Sequence, residues 1–167
     1  MNTIAFKGTS LHLDGEQPAQ GAKAPDFDLL ANDLSPRTLK NYHGSILVLL
    51  SVPSLDTPVC DLEVRRFNKE AANLSGKVRI AAISCDLPFA QARWCGAAGV
   101  SAVETLSDHR ETSFGKNYGV LVKELRLLAR AVFVVARDGT LSYSRIVPEM
   151  THEPNYDEAL AAIQKLV

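Results

Sequence analysis

Residues 45–67 read SILVLLSVPSLDTPVCDLEVRRF. The first eight form a continuous apolar run rich in branched side chains, the pattern of a strand buried on both faces. The chain then turns through Pro53 and enters a charged, amphipathic stretch with Pro58 in its first turn. Val59, Leu62, Phe67, Ala71 and Leu74 recur there at helical spacing, which predicts a helix over 58–74 with those residues on one face. A buried strand feeding a helix through a short turn is a building unit of α/β folds. It leaves one cysteine, Cys60, near the start of the helix. Either Cys60 fills a small apolar space, or the turn exists to hold it.

The same alternation continues on both sides. Upstream, 3–6 and 10–13 flank Lys7-Gly8-Thr9 as an N-terminal β-hairpin, 15–25 is a turn-rich loop, and 27–30 is a short strand. Downstream, 78–84 is a second buried strand and 88–97 a helix entered through Asp86 and Pro88. A short strand over 103–106 precedes a helix over 111–118 closed by Gly119. Strands over 131–136 and 141–147 flank an Asp138-Gly139 turn, and 155–166 closes the chain as an amphipathic helix. The pattern predicts an α/β sandwich around a central mixed sheet, which alone says nothing of function.

The whole chain bounds the problem. Its 167 residues fit one domain, 1–167, large enough to bury a core without disulfide staples. A formal net charge of −1 gives no electrostatic case for nucleic acid or an anionic membrane as partner. The apolar runs are too short to span a bilayer, and the N-terminus does not read as a signal peptide. Three cysteines are too few, and odd in number, for a secreted disulfide scaffold. These readings predict a cytoplasmic protein whose cysteines are chemical rather than structural.

With Thr57 at the N-cap and Pro58 at the first helical position, Cys60 occupies the third. Backbone N–H groups there have no intrahelical partner, and the helix dipole favours negative charge. The thiolate is the nucleophilic form of cysteine. Cysteine is also among the most buried residue types, so an inert core thiol stays open at this point. A thioredoxin-type dithiol needs Cys-x-x-Cys at such a corner, whereas here a threonine stands where the first thiol would be. One thiolate beside a hydroxyl suits attack on a small electrophile such as peroxide, leaving a sulfenic acid.

Pro53-x-x-x-Thr57-x-x-Cys60 resembles the active-site motif of the peroxiredoxins. The stretches VPSLDTPVC and DLPFAQARWCGAAGV are together similar to the bacterial thiol peroxidase subfamily, the atypical two-cysteine type. The similarity extends to AFKGTSLHLDG, LLARAVFVV and VPEMTHEPNYDEALAAI, hence to almost the whole chain. The resemblance implies a thioredoxin-like fold and a thiol-dependent peroxidase acting on hydrogen peroxide and alkyl hydroperoxides. It implies Cys60 as the peroxidatic nucleophile, Thr57 as the hydroxyl that binds peroxide oxygen, and Pro53 as a shield of the thiolate. Arg130 would stabilise the thiolate and polarise the substrate. Cys95 would resolve the sulfenic acid as an intramolecular Cys60–Cys95 disulfide, which thioredoxin would reduce. A homodimer is implied, and no metal or organic cofactor.

From the residues alone each of these has a plainer role. Arg130 is one of ten arginines and stands where a solvated strand end is usual. Pro53 can end a strand, Thr57 can cap a helix, and Cys95 can line a core together with a packed Phe89 and Trp94. Two cysteines on separate helices must move to meet within the roughly 7 Å Cα separation of a disulfide. Oxidation is therefore expected to shift or unwind the first turn of the Cys60 helix and the Cys95 helix. Cys85 belongs to neither motif and reads as a buried bystander, with pairing to Cys60 or Cys95 left open. His12, His43, His109 and His152 have no zinc-ligand spacing. A cysteine hydrolase would need the fold to bring His43 or His109 to Cys60. A non-enzymatic peroxide sensor using the same cysteines is the alternative of a different class.

Overall fold

The computed structural model describes residues 1–74 and 76–167. The apolar run forms β5 (Ile46–Ser51), which is buried along its whole length. Its hydrogen bonds place it in the middle of a seven-stranded mixed sheet. Parallel to it lies β6 (Val78–Ser84), and beyond that β7 (Glu104–Ser107). On its other side β10 (Ala131–Val135) is antiparallel and carries β11 (Leu141–Ile146) on its outer edge, with a register shift between Val134 and Val135. Two-residue strands β3 (Leu29–Leu30) and β4 (Pro36–Arg37) extend the β7 edge. The sheet order is β11-β10-β5-β6-β7-β3-β4. The expected central mixed sheet is therefore present.

Side chains of successive strand residues point to opposite faces, so β5 serves two cores. Ile46, Val48 and Leu50 face a layer of helices: α1 (Pro58–Ala71) and α4 (Tyr156–Gln164) press Val64, Phe67, Ala159 and Ile163 onto them. The helix α2 (Pro88–Ala98) lies on this face too, with Trp94 and Ala98 half-buried against the same core. Leu47 and Leu49 face the other layer, where Phe27, Phe114, Tyr118 and Phe133 interlock edge to face or stacked. Phe114 belongs to the short helix α3 (Ser113–Asn117).

The N-terminal hairpin, β1 (Thr3–Phe6) and β2 (Thr9–Asp14), turns at Lys7 and Gly8, both at positive φ. The sequence predicts this hairpin, and the pairing bears it out. In the structure β2 also pairs with β8 (Leu121–Val122), and β8 with β9 (Leu127–Leu128), giving a second sheet of four strands. Two residues each, β8 and β9 are too short to carry an alternating pattern, which is why sequence reading passes over them. The helix expected over 111–118 is trimmed at its start because Thr112 lies at φ 52°, a left-handed conformation that a helix cannot include. Among the described residues no helix is long and apolar enough to cross a membrane.

Candidate active site

The turn between β5 and α1 builds the site. Thr57 has extended backbone angles at the N-cap of α1, and its carbonyl accepts the first helical hydrogen bond, from the Asp61 N–H at 3.0 Å. Its hydroxyl does not cap the helix. Oγ1 donates instead to the Ser54 carbonyl at 2.8 Å, which leaves its lone pairs as acceptors. The first-turn N–H groups of α1 thus have no side-chain cap beside Cys60. Pro53 is buried where β5 gives way to the turn.

Cys60 is completely buried, and its partner is Arg130, not a histidine. The Arg130 guanidinium donates through one terminal nitrogen to Cys60 Sγ at 3.3 Å and to the Met150 carbonyl at 2.9 Å. Nε–H adds a second bond to that carbonyl, at 3.2 Å. The other terminal nitrogen donates to Glu63 Oε2 at 2.6 Å. Far from being a solvated strand end, Arg130 is 1% exposed. A planar fork held at three points delivers an N–H to sulfur in a fixed direction, which an ammonium could not do. In a dry site such a donor stabilises negative charge on sulfur far more than in water.

Glu63 is the residue that sequence reading misses. The helical face predicted from Val59, Leu62, Phe67, Ala71 and Leu74 is rotated from the observed one. Leu62 is 54% exposed, while Cys60, Glu63, Val64 and Phe67 are buried. A carboxylate in that stripe reads as solvent-facing because isolated charges are almost never buried. Its position three residues after Cys60, on the same face, was the available signal. Burial pushes the Glu63 carboxyl above its ordinary range, and the Arg130 guanidinium pulls it back. A buried guanidinium without a counter-charge would be severely destabilising, so the pair is read as mutually necessary rather than as a source of net stability. Glu63 Oε1 finds no hydrogen-bond partner among the described residues.

Met150 reaches the site because the N-terminal hairpin holds it. Ala5 donates to the Pro148 carbonyl at 2.7 Å and accepts from the Met150 N–H at 2.8 Å. The Glu149 carboxylate accepts from the N–H groups of Lys7 and Gly8 at the hairpin turn, at 3.0 and 3.2 Å. Desolvation pushes this carboxyl up, but those donors and Thr151 outweigh it and hold it down at about 2.

Cys95 is not brought to Cys60. All three cysteines are free thiols, and Cys95 Sγ lies 3.4 Å from Thr105 Oγ1 on β7. From β5 to β7 is two strand spacings, a lateral offset of about 10 Å. Phe89, expected to pack on this helix, is 67% exposed. Cys85 follows β6 and packs into the aromatic core, across the sheet from Cys60. Burial pushes its thiol up to about 12, with Asp108 and Asp86 adding to the effect.

Comparison with known proteins places the chain in a family. The Redoxin family profile matches residues 19–160. The chain is 50% identical over 167 residues to a thiol peroxidase of Bacillus subtilis (strain 168), covering 100% of this chain and 99% of that protein. It is 52% identical over 162 residues to one of Halalkalibacterium halodurans, covering 97% of each. A solved peroxiredoxin-like protein from Aquifex aeolicus superposes with a TM-score of 0.93 at 37% identity, over 100% of this chain and 98% of that one. A thiol peroxidase from Chromobacterium violaceum, at 20% identity and a TM-score of 0.87, shares the fold over 98% of this chain and 95% of its own. With a thioredoxin-like mixed sheet of this order and half its residues in common with proteins of that name, the chain belongs to the thiol peroxidases, peroxidase oxidoreductases of the Redoxin family.

Proposed function

We propose that this peroxidase reduces hydroperoxides at Cys60 and resolves the product with Cys95. The observation that carries the reading is the buried Cys60 sulfur at a helix start with the fixed Arg130 N–H 3.3 Å away. The Cys60 thiolate attacks the near oxygen of the hydroperoxide. An S–O bond forms, the O–O bond breaks, and the leaving oxygen takes a proton to depart as alcohol or water. Thr57, whose own hydrogen is directed to Ser54, accepts the hydroperoxide O–H and so aligns the O–O bond. Arg130 offers the donor for charge developing on the leaving oxygen. Pro53, with no N–H and a buried ring, keeps water from the sulfur. Glu63 and the Met150 carbonyl hold the guanidinium in place.

The sulfenic acid on Cys60 then condenses with Cys95 to a disulfide. Thioredoxin is the proposed reductant, the cytoplasm the proposed location, and a homodimer the proposed assembly. One equivalent of cumene hydroperoxide added to the reduced protein is expected to give a Cys60–Cys95 crosslinked peptide with Cys85 still alkylatable. Thioredoxin, its reductase and NADPH should then sustain continuous turnover. A Cys60 that remains a free thiol while peroxide persists sinks the peroxidase mechanism. A single stoichiometric burst without turnover assigns the same cysteines to a sensor.

A further inference from the structure

One contact between the two cysteine helices has no part in this chemistry. Asp61 follows Cys60 but accepts at Oδ1 from the Trp94 indole N–H, at 2.9 Å. Its Oδ2 accepts from Arg65 Nε–H at 2.8 Å. Arg65 reaches on to the Ala98 carbonyl at 3.2 Å and lies over the indole, 5.8 Å from the ring centre. The cluster walls a crevice of about 360 Å³ between α1 and α2. It ties the second half of α2 to the turn that bears Cys60, through the residue immediately before Cys95.

The rest of α2 is attached quite differently at its two ends. Gln91 is fully buried and donates to Ser84 Oγ and the Leu106 carbonyl at 2.9 and 2.8 Å. Just before the helix, Asp86 accepts from Ser54 Oγ and the Leu55 N–H at 2.7 and 2.8 Å. Beyond Gln91 no α2 residue is buried, Gly96 lies within the helix, and Arg93, Gly96 and Ala97 are exposed. A helix interior glycine weakens the segment by about 1 kcal/mol. Apart from Trp94 and Ala98 against the core and Cys95 on Thr105, the Asp61 cluster is what holds this half down.

We infer that the Asp61–Trp94 contact is the clasp that sets the rate of the resolving step. This rests on the Cys60–Cys95 reading above. Closed, it keeps Cys95 over β7. Open, it lets residues 92–98 unwind about the anchored Gln91 and bring Cys95 to Cys60. The Cys95 sulfur then attacks the sulfenic sulfur, an S–S bond forms, the S–O bond breaks, and hydroxide leaves as water with the Cys95 proton. While the clasp is closed, a second hydroperoxide can oxidise the waiting sulfenic acid to sulfinic acid: another S–O bond forms, the O–O bond breaks, and the far oxygen takes a proton and leaves as alcohol or water. Asp61 and Trp94 are thus positioning residues that divide Cys60 between disulfide and sulfinic acid.

The test follows disulfide formation by acid quench, alkylation and peptide mass after one equivalent of cumene hydroperoxide. Trp94→Phe keeps the ring and deletes the donor, and is expected to speed disulfide formation roughly three- to tenfold. Sulfenic acid formation should be unchanged, and sulfinic acid under excess peroxide should fall. Asp61→Ala should do the same, Asp61→Asn should restore most of the wild-type rate by keeping an acceptor, and the double variant should add nothing. Trp94 is the single tryptophan, so its emission gives an independent readout. In the wild type it should change with the disulfide step, and in Cys95→Ser it should keep its reduced-state value after peroxide.

Equal rates in wild type and Trp94→Phe, or an emission change of full size in Cys95→Ser, would overturn the clasp and leave the peroxidase mechanism standing. Slower disulfide formation in both variants would overturn it too, making the contact a guide. A wild type that gives no Cys60–Cys95 disulfide overturns the underlying reading, and the clasp with it.

Discussion

The helices α1 and α2 each present one cysteine to the same end of the sheet, and they are built in opposite ways. In α1 the buried face carries Cys60, Glu63, Val64 and Phe67, and its sulfur is met by a guanidinium fixed at three points. In α2 only Pro88 and Gln91 are buried, and Cys95 touches a single threonine hydroxyl. The difference fits the two tasks proposed for these cysteines. A nucleophile gains from a fixed, dry, pre-oriented setting, because no reorganisation is then needed at the moment of reaction. A resolving thiol gains from a segment of low local stability that can leave its place.

The comparison can be broken most sharply at Arg130. Arg130→Lys keeps the charge but loses the planar fork, and should slow sulfenic acid formation by about 10²–10³-fold, the range for removing a fixed transition-state donor. Disulfide formation from a given sulfenic acid should be unaffected. Rapid-quench mass spectrometry separates the two steps, and a defect confined to the second would dissolve the contrast between the helices.

A smaller effect tests the mobile side. A Cβ added at Gly96 meets nothing within 4 Å. Gly96→Ala should therefore stabilise α2 by about 0.5–1 kcal/mol and slow the disulfide step by up to about fivefold. Its thermal unfolding midpoint should rise while the peroxide step stays constant.

The fixed side has a pH signature. Glu149 is held at about 2 in the folded protein against an ordinary 4.5. A depressed carboxyl stabilises the fold fully above the unfolded value, and that contribution is lost as the pH falls toward the folded one. The gap in Tm between wild type and Glu149→Gln should be complete above about pH 4.5 and close as the pH approaches 2. A gap independent of pH would mean that the charge of Glu149 does not anchor the hairpin. The smallest effect is expected at Cys85, across the sheet from both sites. Cys85→Ser should leave turnover within about twofold, and the thiol, pushed up to about 12, should be the last to alkylate in the native protein.

How legible this was in the sequence depends on the kind of physics at each position. The β5 run, the Thr57-Pro58 turn and the Asp138-Gly139 hairpin follow local rules and stand where those rules place them. Asn155, expected at the head of the last helix, caps it by accepting from the Glu158 N–H. The face of α1 was not legible, because its buried stripe contains a carboxylate whose partner lies 67 residues away. The role of Met150 was not legible either, since a backbone carbonyl has no side-chain signature. Cys95 could be singled out by resemblance, but its distance from Cys60 only the packing reveals.

The route by which Met150 is held has a consequence for the order in which the protein becomes competent. The strand that pins it, β1, is synthesised long before the segment around Met150 that it pins. A growing chain that already contains Cys60, Thr57 and Glu63 still lacks the carbonyl that orients Arg130. The donor at the sulfur is fully fixed only when β1 and the segment around Met150 meet. Until then the guanidinium lacks one of the groups that aim it at the Cys60 sulfur.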